Sequence, residues 1–121
     1  MTVSFAQIKE STPFVFDQNC GTRVILDHIM SKWGVLVLSC LSDGTHRWGA
    51  LRREVDGISE KMLASTLRTL AEDGLVHRES LPTVPPHVEY SLTPRGRDLM
   101  ERMLPLMEWV AEHADGMLER P

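Results

Sequence analysis

The sequence predicts a mainly α-helical α+β domain that carries one small β hairpin. Apolar residues recur at helical spacing in successive short stretches between Thr22 and Asp73, each closed by a turn signal. After Gly74 the period shortens to partial alternation in two segments, 75–81 and 88–93, held apart by a proline-rich tip. Thr93-Pro94 then opens a last, long helix, with threonine as cap and proline at the first helical position.

Length supports a single domain. The chain has 121 residues, 42% of them apolar, and for 13.7 kDa surface scaling gives a folded area of ~6,600 Å² against ~20,000 Å² unfolded. About two thirds of the surface is then buried, enough for a core without disulfides or a metal. Residues 1–19 show no sustained period and read as an N-terminal arm, on which Phe14 and Phe16 are placed to dock on a partner subunit. Residues 20–121 form the domain proper.

Within it, Thr22 is the expected cap of a short helix whose inner face carries Val24, Ile25, Ile29 and His28. Ser31 caps a second helix, apolar on most of its circumference through Leu36, Val37, Cys40 and Leu41 and therefore central. Ser42-Asp43-Gly44 stops it, because glycine accepts the left-handed conformation at a helix end. Thr45 to Trp48 can add a short strand, after which Trp48, Leu51 and Val55 mark one face of a third helix. Asp56-Gly57 ends that helix. Ser59 caps a fourth, running to about Asp73 with Leu63, Leu67 and Leu70 inward. Pro82, Pro85 and Pro86 forbid ladder hydrogen bonds at the hairpin tip, which includes His87. The last helix bears two apolar stripes, one of Leu99, Met103, Leu106 and Val110 and one of Met100, Leu104, Met107 and Ala111. Pro105 predicts a kink or break within it.

The longest apolar run, Val35 to Leu38, is far short of the ~20 residues that span a bilayer, and Met1 to Asp17 lacks the basic start and apolar stretch of a secretory signal. A cytoplasmic protein with no membrane partner is expected, in which Cys20 and Cys40 remain thiols. The net charge of −4 speaks against nucleic acid only if the charges are mixed, and they are segregated. Residues 45–100 carry 8 basic and 8 acidic groups, whereas 101–121 carry 2 and 5.

Helix, tight turn, helix and hairpin is the order of a winged helix-turn-helix, whose second helix enters the DNA major groove. At 100° per residue Leu67 and Leu70 fall within about 40° of Leu63, while Lys61, Ser65 and Arg68 fall within about 40° of the opposite side. Lysine and arginine supply donors to phosphates or guanine edges, and small hydroxyl residues allow close approach. Thr69 lies on the flank. Any amphipathic surface helix also points polar residues outward, so the surroundings matter. Ser59 places a helix N-terminus, with its free N–H groups, where a phosphate would sit. Arg47, Arg52 and Arg53 lie where the first helix of the motif crosses the backbone, and Arg78 and His87 are the candidate contacts of the wing.

The stretch from Cys20 to about Trp109 resembles the HxlR family of bacterial winged-helix transcriptional regulators. The matching signposts are Cys20, Lys32-Trp33, Leu41-Ser42-Asp43-Gly44, Leu51-Arg52-Arg53, Gly57-Ile58-Ser59, Leu67-Arg68-Thr69-Leu70, Asp73-Gly74-Leu75-Val76, Pro85-Pro86 and Val88-Glu89-Tyr90-Ser91-Leu92-Thr93 ending at Gly96. Trp48 stands where such proteins usually carry phenylalanine. The resemblance implies a homodimer on a pseudo-palindromic double-stranded operator, acting as a repressor that answers a chemical signal. Two unpaired apolar stripes on the last helix independently favour a dimer.

The resemblance also marks Cys20 as the sensor of an electrophile or oxidant. The helix N-terminus after it would stabilise a thiolate, while the alternative is a buried structural thiol. Cys40, among Leu36, Val37 and Leu41, reads as core. Two other functions fit the same fold: a regulator controlled by a noncovalent ligand between dimer helices, near Met100, Met103 and Met107, and a winged-helix module that binds protein. A metal site is not expected, because His28, His46, His77, His87 and His113 are scattered, and no cofactor is implied. An enzyme is not expected either: the sequence has no glycine-rich phosphate loop and no nucleophile elbow.

Overall fold

The structure, a computed structural model, describes residues 3–12, 17 and 19–119. Among these it contains helices α1 (Phe5–Ser11), α2 (Gly21–Ile29), α3 (Lys32–Ser42), α4 (Trp48–Glu54), α5 (Glu60–Glu72) and α6 (Pro94–Leu118). A small antiparallel sheet is built from β1 (His46–Arg47), β2 (Val76–Leu81) and β3 (His87–Leu92), with β3 in the middle. The hairpin register pairs Val76 with Leu92 and Leu81 with His87, and β1 adds His46 opposite Tyr90 and Arg47 opposite Glu89. The mainly helical α+β class is as expected.

The core is where the period places it. Leu63, Leu67 and Leu70 of α5 are buried against Val37, Leu38 and Leu41 of α3, with Leu51, Tyr90 and Met100 in the same cluster. Each fully buried leucine contributes roughly 1.5–3 kcal/mol. The helices α2 and α3 cross so closely at Gly34 that a Cβ there would fall on the His28 carbonyl oxygen.

Both ends of α5 are fixed. The Ser59 hydroxyl accepts the Met62 backbone N–H at 3.0 Å, and Gly74, at φ +76°, turns the chain out. The Thr93 hydroxyl closes the far side by donating to the Gly74 carbonyl at 2.6 Å while accepting the Gly96 N–H at 3.0 Å, so one residue joins the end of α5 to the start of α6.

Several expectations are corrected. The aperiodic arm contains α1, formed because Ser4 and Gln7 make a reciprocal capping box and not because a face is buried. Phe14 and Phe16 lie outside the described residues. Cys20, not Thr22, caps α2: its carbonyl already accepts the Val24 N–H at 3.0 Å, so Gly21 and Thr22 are inside the helix. Val24 and Ile25 are exposed, and of that helix only Ile29 is buried. Leu38, absent from the expected inner set of α3, is fully buried. The first strand is confined to His46–Arg47, because Trp48 already starts α4. His87 is not at the hairpin tip but opens β3.

Helix α6 runs unbroken through Pro105. The carbonyl that proline deprives of a donor belongs to Glu101, which is exposed, so water can take the lost bond. Met103 and Met107, on either side, both pack on the core. Met100 is buried in that core and takes no part in the outer groove, about 350 Å³ in volume, that Met103 and Met107 line with Met30, Val35, Leu106 and Val110. No single helix among the described residues is long and apolar enough to cross a membrane.

Candidate nucleic-acid interface

The outward side of α5 carries Lys61, Ser65 and Arg68, all exposed, opposite the buried leucines. Ser59 precedes them as the cap and is itself exposed. Thr69 is different. It is half-buried and turns into a small cleft between α5 and α2 that Asp27, His28 and Ser31 also line. A ligand on the outer stripe would meet Thr69 only at its edge. Glu72 is exposed at the C-terminal end of α5.

A side-chain contact with no local sequence signal joins α2 to the end of α5. His28 Nδ1 of α2 lies 2.7 Å from Asp73 Oδ2 at the α5 C-cap, although the two residues are 45 apart in sequence. Asp73 is legible only as a helix end and His28 only as an inner-face residue. The contact depends on how α2 lies across α5.

The three arginines before α5 do not share one environment. Arg52 Nη1 lies 3.2 Å from Glu60 Oε1 in the first turn of α5, both side chains being exposed. Such a pair is worth about 0–1 kcal/mol, so an incoming phosphate can displace Glu60. Arg47 is exposed at the α4 N-cap, paired in register with Glu89 of β3. Arg53 is exposed on α4.

On the wing, alternation along β2 places Arg78 on the same sheet face as buried Val76, opposite buried Tyr90. It therefore faces α5. Arg68 and Arg78 line a common groove of about 420 Å³ whose apolar walls are Trp48, Leu67 and Tyr90. Among the described residues neither arginine takes part in an ion pair. His87, by contrast, is held: its Nδ1 is 2.8 Å from the Thr83 hydroxyl and its Nε2 is 3.4 Å from Glu89. That leaves Arg78 as the freer of the two wing candidates. Strand alternation was the available signal for the Arg68–Arg78 pairing.

The two thiols also differ. Cys20 is half-buried at the α2 N-cap and makes no side-chain capping bond. Cys40 is half-buried between core residues, and burial together with a hydrogen bond to the Glu54 carboxylate and the charges of Glu54 and Asp43 pushes its thiol up to about 11. Among the described residues no group of three or more His, Cys, Asp or Glu side chains is placed to hold a metal ion.

Known proteins share the fold. The profile of the family described as HxlR-like helix-turn-helix matches residues 28–117. The chain is 48% identical over 104 residues to the HTH-type transcriptional regulator YtfH of Escherichia coli K12, spanning 86% of this chain and 81% of that protein. Its structure is similar to that of the transcriptional regulator ytfH from Salmonella typhimurium, with a TM-score of 0.80 and 48% identity over 85% of this chain and 92% of the other. It is also similar to the redox regulator HypR in its oxidized form, with a TM-score of 0.71 and 41% identity over 77% and 96% of the two chains.

Proposed function

The chain belongs to the HxlR-like helix-turn-helix family of transcriptional regulators, and on that premise we propose that it acts as a homodimeric repressor on a pseudo-palindromic duplex operator. In this reading modification of Cys20 by an electrophile or oxidant releases it from DNA. The observation that carries the DNA reading is the outer stripe of α5, where Lys61, Ser65 and Arg68 are exposed behind a capped N-terminus. Arg68 is the candidate base reader. Lys61, Arg47 and Arg53 supply phosphate contacts, Arg52 joins them by exchanging Glu60 for a phosphate, and Arg78 serves the wing.

The uncovered apolar surface supports the dimer. Leu106, Trp109 and Val110 of α6 and Val24, Ile25 and Leu26 of α2 are the exposed apolar side chains concerned.

Sensing through Cys20 is supported by its place at the head of α2, the helix that carries part of this face, and by the redox regulator among the similar structures. An adduct there alters the angle between protomers, so that the recognition helices no longer match grooves about one DNA turn apart. A hundredfold loss of affinity requires only ~2.7 kcal/mol of preference for the nonbinding geometry.

Selection from a randomised duplex pool, followed by anisotropy titrations at several salt concentrations, tests the reading. A motif with two half-sites is expected. Each substitution is present in both protomers, so Arg68→Ala should cost ~1–3 kcal/mol per half-site, and Lys61→Ala should lower the salt slope by about 2. Binding to no duplex, or indifference to both substitutions, would remove α5 from the interface and favour a protein-binding module.

A further inference from the structure

The groove between α5 and the wing has a composition that duplex DNA does not require. A phosphodiester needs donors and charge, whereas here two arginines stand beside an apolar recess. Trp48 and Tyr90 contribute aromatic surface, and Leu67 closes the apolar wall. Ala64 and Ala71, successive small residues on the side of α5 that faces the wing, leave the space open. The volume of about 420 Å³ lies in the range of small-molecule sites, roughly 300–1,000 Å³. Arg68 enters from the helix and Arg78 from β2, neither engaged in an ion pair among the described residues.

We propose that this groove binds a small planar aromatic carboxylate, and that the ligand competes with DNA for Arg68 and Arg78. A flat ring fits between apolar walls, and a carboxylate is the anion that guanidinium groups hold with paired hydrogen bonds. Glu72 also lines the groove, so its carboxylate disfavours highly charged anions and selects for one negative charge on a hydrophobic body. Occupancy engages the two guanidinium groups that the DNA reading uses, and competition follows from that engagement alone. Effector and operator are thereby mutually exclusive without any change at Cys20. The competition rests on the proposed DNA reading, whereas the binding site itself does not.

Two arms keep these claims apart. In the first, the DNA-free protein is titrated calorimetrically with 2-naphthoate, with neutral 2-naphthamide and inorganic phosphate as comparisons. Saturable binding of naphthoate is expected, at least about tenfold tighter than either comparison. Arg78→Gln, an exposed substitution, should weaken naphthoate about tenfold or more. Ala71→Leu, which fills the groove without touching a charge, should abolish it while leaving the thermal midpoint and the affinity for selected DNA near wild type. In the second arm, naphthoate is added to the DNA complex and should displace the wild-type protein but not the Ala71→Leu protein. No heat from naphthoate, undiminished binding by both variants, or equal binding of phosphate would overturn the proposed site. If Ala71→Leu does not fold, Arg78→Gln with the phosphate comparison still decides. Naphthoate binding as described, with no duplex bound by the free protein, would leave the site standing and refute the DNA reading.

Discussion

Cys40 provides a quantitative check on which thiol can sense. Its pKa is raised from an ordinary 9.0 to about 11 by burial, by the hydrogen bond to Glu54 and by the charges of Glu54 and Asp43. At pH values below both, its thiolate fraction is about a hundredfold lower than that of an ordinary thiol. A thiolate of higher pKa is intrinsically more nucleophilic, with a Brønsted slope of ~0.4–0.5, which restores roughly six- to tenfold. The net expectation is a reaction about ten- to sixteenfold slower, before restricted access slows it further. The assay follows a neutral aromatic disulfide by the absorbance of the released thione, in Cys20→Ser protein so that only Cys40 reports. The rate should climb through the alkaline range without levelling until about 11. Glu54→Gln removes one of the charges that raise the pKa, so its profile should level earlier and its rate at neutral pH should rise. The same shift has a stability counterpart. The stabilisation associated with the protonated thiol is present below the unfolded thiol's pKa and lost as pH rises toward about 11. A profile that levels near the ordinary thiol value, or a Cys40 that outpaces Cys20 in the matching Cys40→Ser protein, would refute this account and transfer the sensing role to Cys40.

Four further outcomes are expected. Cys20→Ser protein should keep its DNA affinity after electrophile or oxidant treatment while Cys40→Ser protein loses it, as read by anisotropy; the reverse pattern would exclude Cys20. Leu106→Glu and Val110→Glu replace side chains exposed in the single chain, so sedimentation should show folded monomers with weakened operator binding, and a persistent dimer would place the interface elsewhere. Gly34→Ala should destabilise the fold in urea titrations, because the overlap with the His28 carbonyl, ~1–3 kcal/mol or more, outweighs a helix-propensity gain of ~0.5–1 kcal/mol. Gly116→Ala, with nothing within 4 Å of its Cβ, should show that gain alone.

The elements legible in the sequence are those governed by neighbours along the chain. Ser31, Ser59 and Thr93 cap helices in the structure as read, because a cap needs only an N–H three residues ahead. The inward set of Leu63, Leu67 and Leu70 follows from a period of 3.6, and with it the outward position of Lys61, Ser65 and Arg68. The signposts from Cys20 to Gly96 were enough to identify the family.

Where these elements meet was decided by tertiary structure. The capping box of Ser4 and Gln7 makes α1, but without an apolar stripe beside it the sequence alone does not mark a helix there. Pro105 reads locally as a breaker, yet a solvated Glu101 carbonyl and the packing of Met103 and Met107 carry α6 through it. The His28–Asp73 pair, the burial of Leu38, the restraint of His87 and the convergence of Arg68 and Arg78 on one groove join residues from different elements. Periodicity fixes which face of a helix or strand a side chain occupies. Which other face lies opposite depends on how the helices cross and how the sheet registers, and those are set by close packing of the whole core.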